Sequence, residues 1–144
     1  MINYVTGFMF SSDKKNVALI TKINPAWQKG LINGIGGKIE LGETPEQAMS
    51  REFHEETGVH TLPEQWTCYC IINRPDKYSV NFLVSINDNV FSTRSVEKEV
   101  VGVYEVSNLP HNIIDNLRWL IPMSIDKNLI FSRPIILEEN REIN

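Results

Sequence analysis

The sequence predicts an α/β fold in which a mixed central sheet is sandwiched between helices. Three observations carry that expectation. Short β-rich runs bounded by polar turns recur along the chain, a strongly capped helix separates two groups of them, and a second helical segment with one apolar face follows later. With 144 residues, the chain is expected to form a single domain over 1–144 that buries roughly two-thirds of its unfolded surface.

Residues 4–10 and 16–23 are the first β-rich runs, and the polar stretch Ser11-Ser12-Asp13-Lys14-Lys15 between them predicts a hairpin. Pro25 and Gly30 punctuate an irregular loop that carries Trp27. Residues 33–39 are interrupted by glycines, so a strand end running into a loop is expected there. Thr44 opens the clearest helix. It can cap, Pro45 suits the first helical position, Gln47 completes a Thr-x-x-Gln capping box, and Gly58 supplies the stop. Residues 67–74 and 79–86 flank Pro75-Asp76-Lys77, a second hairpin signal, and residues 100–106 are a further strand candidate. Asn112 is expected to cap a second helix whose Ile113, Leu117, Leu120 and Ile121 share one face, with Pro122 ending it. Residues 130–137 read as a terminal strand, and the chain beyond is polar.

An apolar fraction of 42% and a charged fraction of 22% are ordinary for a globular chain. A formal net charge of -4 without any basic run argues against a sequence-blind binder of nucleic-acid polymers. A nucleotide remains compatible, because its phosphates can be held by metal ions. The opening MINYVTGFMF has no positive flank ahead of its apolar residues, so no signal peptide is expected. No apolar run approaches the ~20 residues that span a bilayer, and no membrane partner is expected. Cys68 and Cys70 stand at strand spacing, which places them on one side of one element. Buried free thiols fit that spacing better than a disulfide or a zinc site, and a reducing, cytoplasmic setting follows. Oligomeric state stays open.

The helix from Thr44 to Gly58 carries an electrostatic oddity. Glu52, Glu55 and Glu56 span an arc of about 100° on its surface, with Ala48 and Met49 on or beside that arc. Like charges three and four apart weaken a helix by ~0.2–0.5 kcal/mol per pair, and the helix dipole disfavours negative charge towards the C-terminus. A divalent cation would reverse both effects, and hard oxygen ligands of this kind suit Mg²⁺ or Mn²⁺. The plain alternative is a solvated acidic face, which Arg51 four residues before Glu55 would suit equally.

The surrounding spacing is more specific. From Gly37 the chain reads Gly, five residues, Glu43, seven residues, then Arg51-Glu52-Phe53-His54-Glu55-Glu56-Thr57-Gly58-Val59. This resembles the Nudix box, the signature of the Nudix hydrolases, with every fixed position filled. The resemblance implies an α/β/α sandwich with the box as loop–helix–loop. It also implies hydrolysis of a nucleoside diphosphate linked to another moiety, by water attack on phosphorus. By the same resemblance Glu52, Glu55 and Glu56 are metal ligands, one of them relaying the water's proton, and the Gly37 carbonyl completes the metal shell. Arg51 orients a glutamate by ion pairing, and Glu43 braces the loop. An acid from outside the box is expected to join them, with Glu99 the candidate and Glu97 the alternative. His54 lies away from the glutamates and is assigned no role.

Outside the box, Gly30-Leu31-Ile32-Asn33-Gly34-Ile35-Gly36-Gly37 is similar to the lead-in of the mammalian oxidised-purine nucleoside triphosphatases. That likeness puts Asn33 at a base-reading position and Trp27 at an aromatic of the base pocket. Residues 114–119 resemble their pocket segment, where Asp115 matches one of two aspartates and Asn116 departs from the other. Lys22 and Lys38 are candidates to meet phosphates. The expected function is therefore Mg²⁺-dependent pyrophosphohydrolysis of a nucleoside triphosphate of the MutT-like kind, with Mn²⁺ able to substitute. Oxidised purine nucleotides such as 8-oxo-dGTP are the candidate substrates. The alternatives are another diphosphate (ADP-ribose, a dinucleoside polyphosphate, an RNA 5′ end) or a nucleotide-sensing module without turnover. An isoprenoid diphosphate isomerase ranks lower, because it needs a site cysteine and both cysteines follow the box on a later strand.

Overall fold

Alternation along the first two strands decides the architecture. Strands β1 (Ile2–Phe10) and β2 (Asn16–Thr21) send successive side chains to opposite faces. Val5, Met9, Ala18 and Ile20 join one core, while Phe8, Phe10, Val17 and Leu19 join another. A sheet apolar on both faces must be covered on both. The computed structural model, which describes residues 1–140, shows how this is done.

The remaining elements are β3 (Ile32–Asn33), β4 (Ile35–Lys38), α1 (Pro45–Thr57), β5 (Thr67–Arg74), β6 (Tyr78–Ile86), β7 (Val100–Glu105), α2 (Leu117–Ser124) and β8 (Ile135–Glu138). The sheet runs β3-β2-β1-β6-β5-β8, with β4 also pairing β1 and β7 pairing β2. The pairs β1–β6 and β5–β8 are parallel and the others antiparallel, so the sheet is mixed as expected. Helix α1 seals the first face with Ala48, Met49 and Phe53, the last tilted against Trp66 at 5.3 Å between ring centroids. Helix α2 seals the second with Leu117, Leu120 and Ile121. There the Tyr69 hydroxyl donates to the Leu120 carbonyl at 2.9 Å.

One edge of β1 is shared. Its residues Tyr4 to Gly7 pair with β4, and only Phe10 reaches Val17 of β2. Strand β4 therefore runs close beside β1, and at Gly36 a Cβ would lie 1.8 Å from the Val5 carbonyl oxygen. Glycine is required there by the close backbone approach. That placement brings the next residue, Gly37, beneath the acidic helix.

Helix α1 matches its sequence signals at both ends. The Thr44 hydroxyl accepts from the Gln47 amide at 3.1 Å, and the Gln47 side chain returns a bond to the Thr44 amide at 2.9 Å. Gly58 ends the helix in the left-handed region at φ 78°.

Four expectations need correction. Residues 33–39 are not one strand end, because β3 and β4 are separate short strands with different partners. The second helix begins at Leu117 instead of Ile113, and Pro122 lies inside it. The reason is that Ile113 is held as a bridge beside Ile32, and Asn112 uses its carbonyl on the Ile32 amide and its side chain on the Gly30 carbonyl, so it does not cap. The terminal strand starts at Ile135, five residues later than expected from its apolar run. Finally, a bulge between Cys68 and Cys70 breaks the two-residue period. Cys68 packs on the α1 side and Cys70 on the α2 side, so the two free thiols lie on opposite faces.

Candidate active site

The acidic face of α1 is built from its own loop. Arg51 donates through Nε to Glu43 Oε2 at 2.7 Å and through Nη2 to Glu43 Oε1 at 2.9 Å, a two-pronged pair. Its Nη2 also reaches the Lys38 carbonyl at 3.0 Å, and its Nη1 reaches Glu52 at 2.9 Å and Glu55 at 3.4 Å. Glu40 adds a longer ion pair at 3.7 Å. Glu43 in turn accepts from the Glu40 amide at 2.8 Å, so loop and helix are clasped by one guanidinium. The hydrogen bond from Arg51 holds the Glu43 carboxyl below its usual range, and the same bond keeps Arg51 firmly protonated.

Glu52 lies against β4. A Cβ added at Gly37 would fall 2.5 Å from its Oε1, so only glycine leaves the carboxylate room there. Burial raises the Glu52 carboxyl above its ordinary range, Arg51 opposes that shift, and Glu55 and Glu97 add to it. Glu55 is the most open of the three, its side chain 46% exposed.

Glu56 is the most unusual. It is buried, and its Oε2 has no hydrogen-bond partner among the described residues. Burial pushes its carboxyl up to about 8, with Glu52 reinforcing the shift, Lys22 opposing it, and Glu99 and Glu97 adding repulsion. A buried acceptor left without a donor costs roughly 1–3 kcal/mol. The charges that face it are largely of its own sign.

The expected outside acid stands opposite. Glu99, just before β7, accepts from Lys22 Nζ at 3.2 Å and from the Ile23 amide at 2.5 Å. Glu97 is exposed, and of the two acids Glu99 acts more strongly on Glu56. A cavity of about 580 Å³ opens here, lined by Lys22, Ile23 and Asn24 on one side and residues 96–99 on the other.

Among the described residues no three acid, histidine or cysteine side chains already converge as a cation cage. The clasp explains this, since Arg51 holds Glu52 and Lys22 holds Glu99. The donor set nonetheless suits a hard divalent cation, being carboxylate oxygens around one orphaned buried oxygen.

The residues expected to read a base lie on the Lys22–Leu31 loop and on the segments that follow and flank it. That loop is closed by paired backbone bonds between Lys22 and residues 30 and 31. Trp27 lies on a short 3-10 turn and is 68% exposed. Asn33 donates to Gln28 at 3.3 Å and accepts from the Gly34 amide at 2.7 Å, so its amide is engaged at both ends. The bridge between Ile32 and Ile113 lays residues 112–116 alongside. Asp115 is exposed there, while the Asn116 Oδ1 is buried without a partner among the described residues. Lys38 is exposed, and it is its carbonyl that enters the clasp. His54 stacks on His60 at 3.6 Å, on the exposed side of the helix. Sequence reading missed Gln28 and Glu40. Both act through loop closure, which leaves no mark in spacing.

The NUDIX domain family matches residues 3–135, and the chain belongs to that family. Over 124 residues, 77% of this chain and 70% of the relative, it is 27% identical to the ADP-ribose pyrophosphatase of Methanocaldococcus jannaschii. Shorter stretches are closer. One of 47 residues, 33% of this chain and 18% of the relative, is 43% identical to the NAD-capped RNA hydrolase NudC of Vibrio parahaemolyticus. Another of 24 residues, 17% of this chain and 19% of the relative, is 71% identical to the 8-oxo-dGTP diphosphatase of Escherichia coli. The matched stretches span less than a fifth of either of those two relatives.

Among solved structures, one from work on MutT of Aliivibrio salmonicida and Vibrio cholerae has a TM-score of 0.67 at 23% identity, covering 88% of this chain and 98% of that one. The NUDIX domain of Shewanella oneidensis NrtR, complexed with ADP ribose, has a TM-score of 0.65 at 17% identity, covering 90% and 89%. At such identities the likeness shows the α/β/α sandwich. Hydrolases of this family generally use a divalent metal.

Proposed function

We propose that this chain is a single-domain, divalent-metal-dependent hydrolase that cleaves a nucleoside triphosphate to monophosphate and pyrophosphate. Glu56 carries the reading. Its buried oxygen lacks a donor and faces other acids, an arrangement that a cation would stabilise and solvent cannot reach. Glu52, Glu55, Glu56, the Gly37 carbonyl and Glu99 would hold Mg²⁺, with Mn²⁺ able to substitute. When bound, the ion neutralises charge on the polyphosphate and acidifies a water.

The chain's own residues do the rest. One of the three glutamates accepts the proton of the attacking water. The water oxygen bonds to phosphorus, the P–O–P bridge breaks, and the bridging oxygen leaves with the other product. Arg51 positions Glu52 and fixes the loop. Lys22 exchanges Glu99 for a substrate phosphate, and Lys38, exposed at the end of β4, is the second lysine available to one. Trp27 offers an open ring for stacking, and Asn33, by exchanging its bond to Gln28, joins Asp115 and Asn116 in meeting a purine edge. Because Asn116 is an amide, it reads the base without exchanging a proton. That departure at Asn116 leaves the choice among purines open, so oxidised nucleotides such as 8-oxo-dGTP are set beside ordinary ones in the substrate panel, and a reducing cytoplasmic setting suits the two free thiols.

ADP-ribose is the second reading, favoured by the relative that matches across 77% of the chain. The test is one panel of ordinary and oxidised (d)NTPs, ADP-ribose and a dinucleoside polyphosphate with Mg²⁺. Pyrophosphate with a nucleoside monophosphate supports the first reading. AMP with ribose 5-phosphate supports the second. No product from any member overturns both.

A further inference from the structure

We propose that Lys22 is the resident cation of the acidic site, a placeholder on Glu99 that a divalent ion must displace before Glu99 can serve as a ligand. The proposal rests on the reading of the glutamates as metal ligands and adds what opposes their use. The sheet sets the pair. Strands β2 and β7 are antiparallel with Thr21 opposite Val100, so one further step along each puts Lys22 opposite Glu99. Lys22 Nζ donates to Glu99 Oε1 at 3.2 Å, and the Ile23 amide donates to Oε2 at 2.5 Å. Both oxygens of Glu99 are thus engaged, although the side chain lines an open cavity.

The two bonds differ in kind. The amide belongs to the backbone beside Lys22, whose own amide and carbonyl are tied to Leu31 and Gly30. The ammonium stands at the end of a flexible four-carbon stem, and a cross-strand ion pair is a weak bond. Oε1 is therefore the oxygen that changes partner, while Oε2 on the Ile23 amide keeps Glu99 in place.

Glu56 shows what the exchange serves. It is nine-tenths buried, and its Oε2 has no partner among the described residues. Among the charges that act most on it, Lys22 is the one cation, against Glu52, Glu99 and Glu97. One ammonium thus serves acids on two elements, α1 and the segment before β7. A single charge offsets several carboxylates incompletely, and a doubly charged ion with several oxygen ligands does so better. Lys22 then opposes metal binding in the substrate-free protein and, once displaced, is released to a phosphate. By linkage, a phosphate that draws Lys22 away strengthens metal binding by the same factor as the metal strengthens phosphate binding. A purely structural ion pair predicts otherwise, since its loss would lower stability and give metal no advantage.

Mn²⁺ titrated into substrate-free protein at fixed pH, with the free ion read by electron paramagnetic resonance, tests this. Lys22→Met should lower the Mn²⁺ dissociation constant by about fivefold, the worth of one cross-strand ion pair. In a Glu99→Gln background the same substitution should gain less than about twofold, the remainder of a screened field on Glu56. Lys22→Gln repeats the comparison if methionine disturbs the fold. In wild-type protein Mg²⁺ should also shift the Ile23 amide resonance while that amide stays protected from hydrogen exchange. Equal gains in the two backgrounds, or no gain from either substitution at Lys22, overturn the placeholder role alone, provided that Glu56→Gln weakens Mn²⁺ binding. Mn²⁺ binding indifferent to both Glu56→Gln and Glu99→Gln overturns the metal-ligand reading together with the placeholder.

Discussion

Replacing Glu56 by glutamine keeps the shape of the side chain and removes its charge. In the metal-free protein the unfolded chain releases this proton near the ordinary value of 4.5, while the folded chain holds it to about 8 because burial and the neighbouring acids oppose ionisation. Between those values the folded state binds more protons, so raising the pH through this window costs stability. At 1.36 kcal/mol per unit of pKa, the loss from about pH 5 to about pH 8 is about 2–4 kcal/mol. For a domain of this size each kcal/mol moves the melting temperature by ~3–4 °C, so the drop attributable to Glu56 is roughly 6–15 °C. The assay is thermal melting of wild type and Glu56→Gln in EDTA across that range, read as the difference between the two slopes. Any constant cost of the amide cancels, as do the other titrating groups. Mg²⁺ at the alkaline end should then raise the wild-type melting temperature more than that of the variant. Two melting profiles that stay parallel from end to end would refute the assignment of a buried, unpartnered carboxylate.

Three further outcomes follow from the site and its frame. Arg51→Lys should lower kcat by about 10–100-fold in the panel assay with a smaller effect on KM, because one ammonium cannot reproduce the fork that holds Glu43 and Glu52 together. Gly37→Ala should also cut turnover by about 10–100-fold, since its Cβ would lie 2.5 Å from Glu52 Oε1, and circular dichroism should show the fold retained. Gly58→Ala places a Cβ at φ 78° and 3.0 Å from Arg94, and should destabilise the protein by about 1–2 kcal/mol in a denaturant titration while leaving kcat close to wild type.

The first helix was legible because its signals are local. Thr44, Pro45, Gln47 and Gly58 act within a few residues of the ends they define, and tertiary contacts have nothing to override. The second helix shows the opposite case. Its apolar spacing fits a helix from Ile113, but β3 takes the backbone of Asn112 and Ile114 first, and the helix forms only past that bridge. The bulge at Cys68 and Cys70 was hidden for a related reason. Period-two reading assumes an unbroken ladder, and only the pairing with β6 shows where it breaks.

In the site, the glutamates were legible from helical spacing. That Lys22 and the Ile23 amide hold Glu99, while Glu97 is exposed, depends on contacts between residues some 76 positions apart, which no local spacing shows. The engagement of Asn33 by Gln28 depends on closure of the loop between them, which no spacing rule describes.

The Arg51 clasp has an outcome beyond holding individual carboxylates. By joining the Lys38 carbonyl, Glu43, Glu52 and Glu55 through a single rigid plane, it makes residues 38–55 one piece before any substrate arrives. The residues proposed to face a base hang from a different piece, the loop between β2 and β3 with the segment before α2. On the proposed function, reaction and recognition are thus anchored to separate parts of one scaffold. Substitutions at Trp27, Asn33 or Asn116 are then expected to change the choice of nucleotide while the chemistry on the helix is left undisturbed.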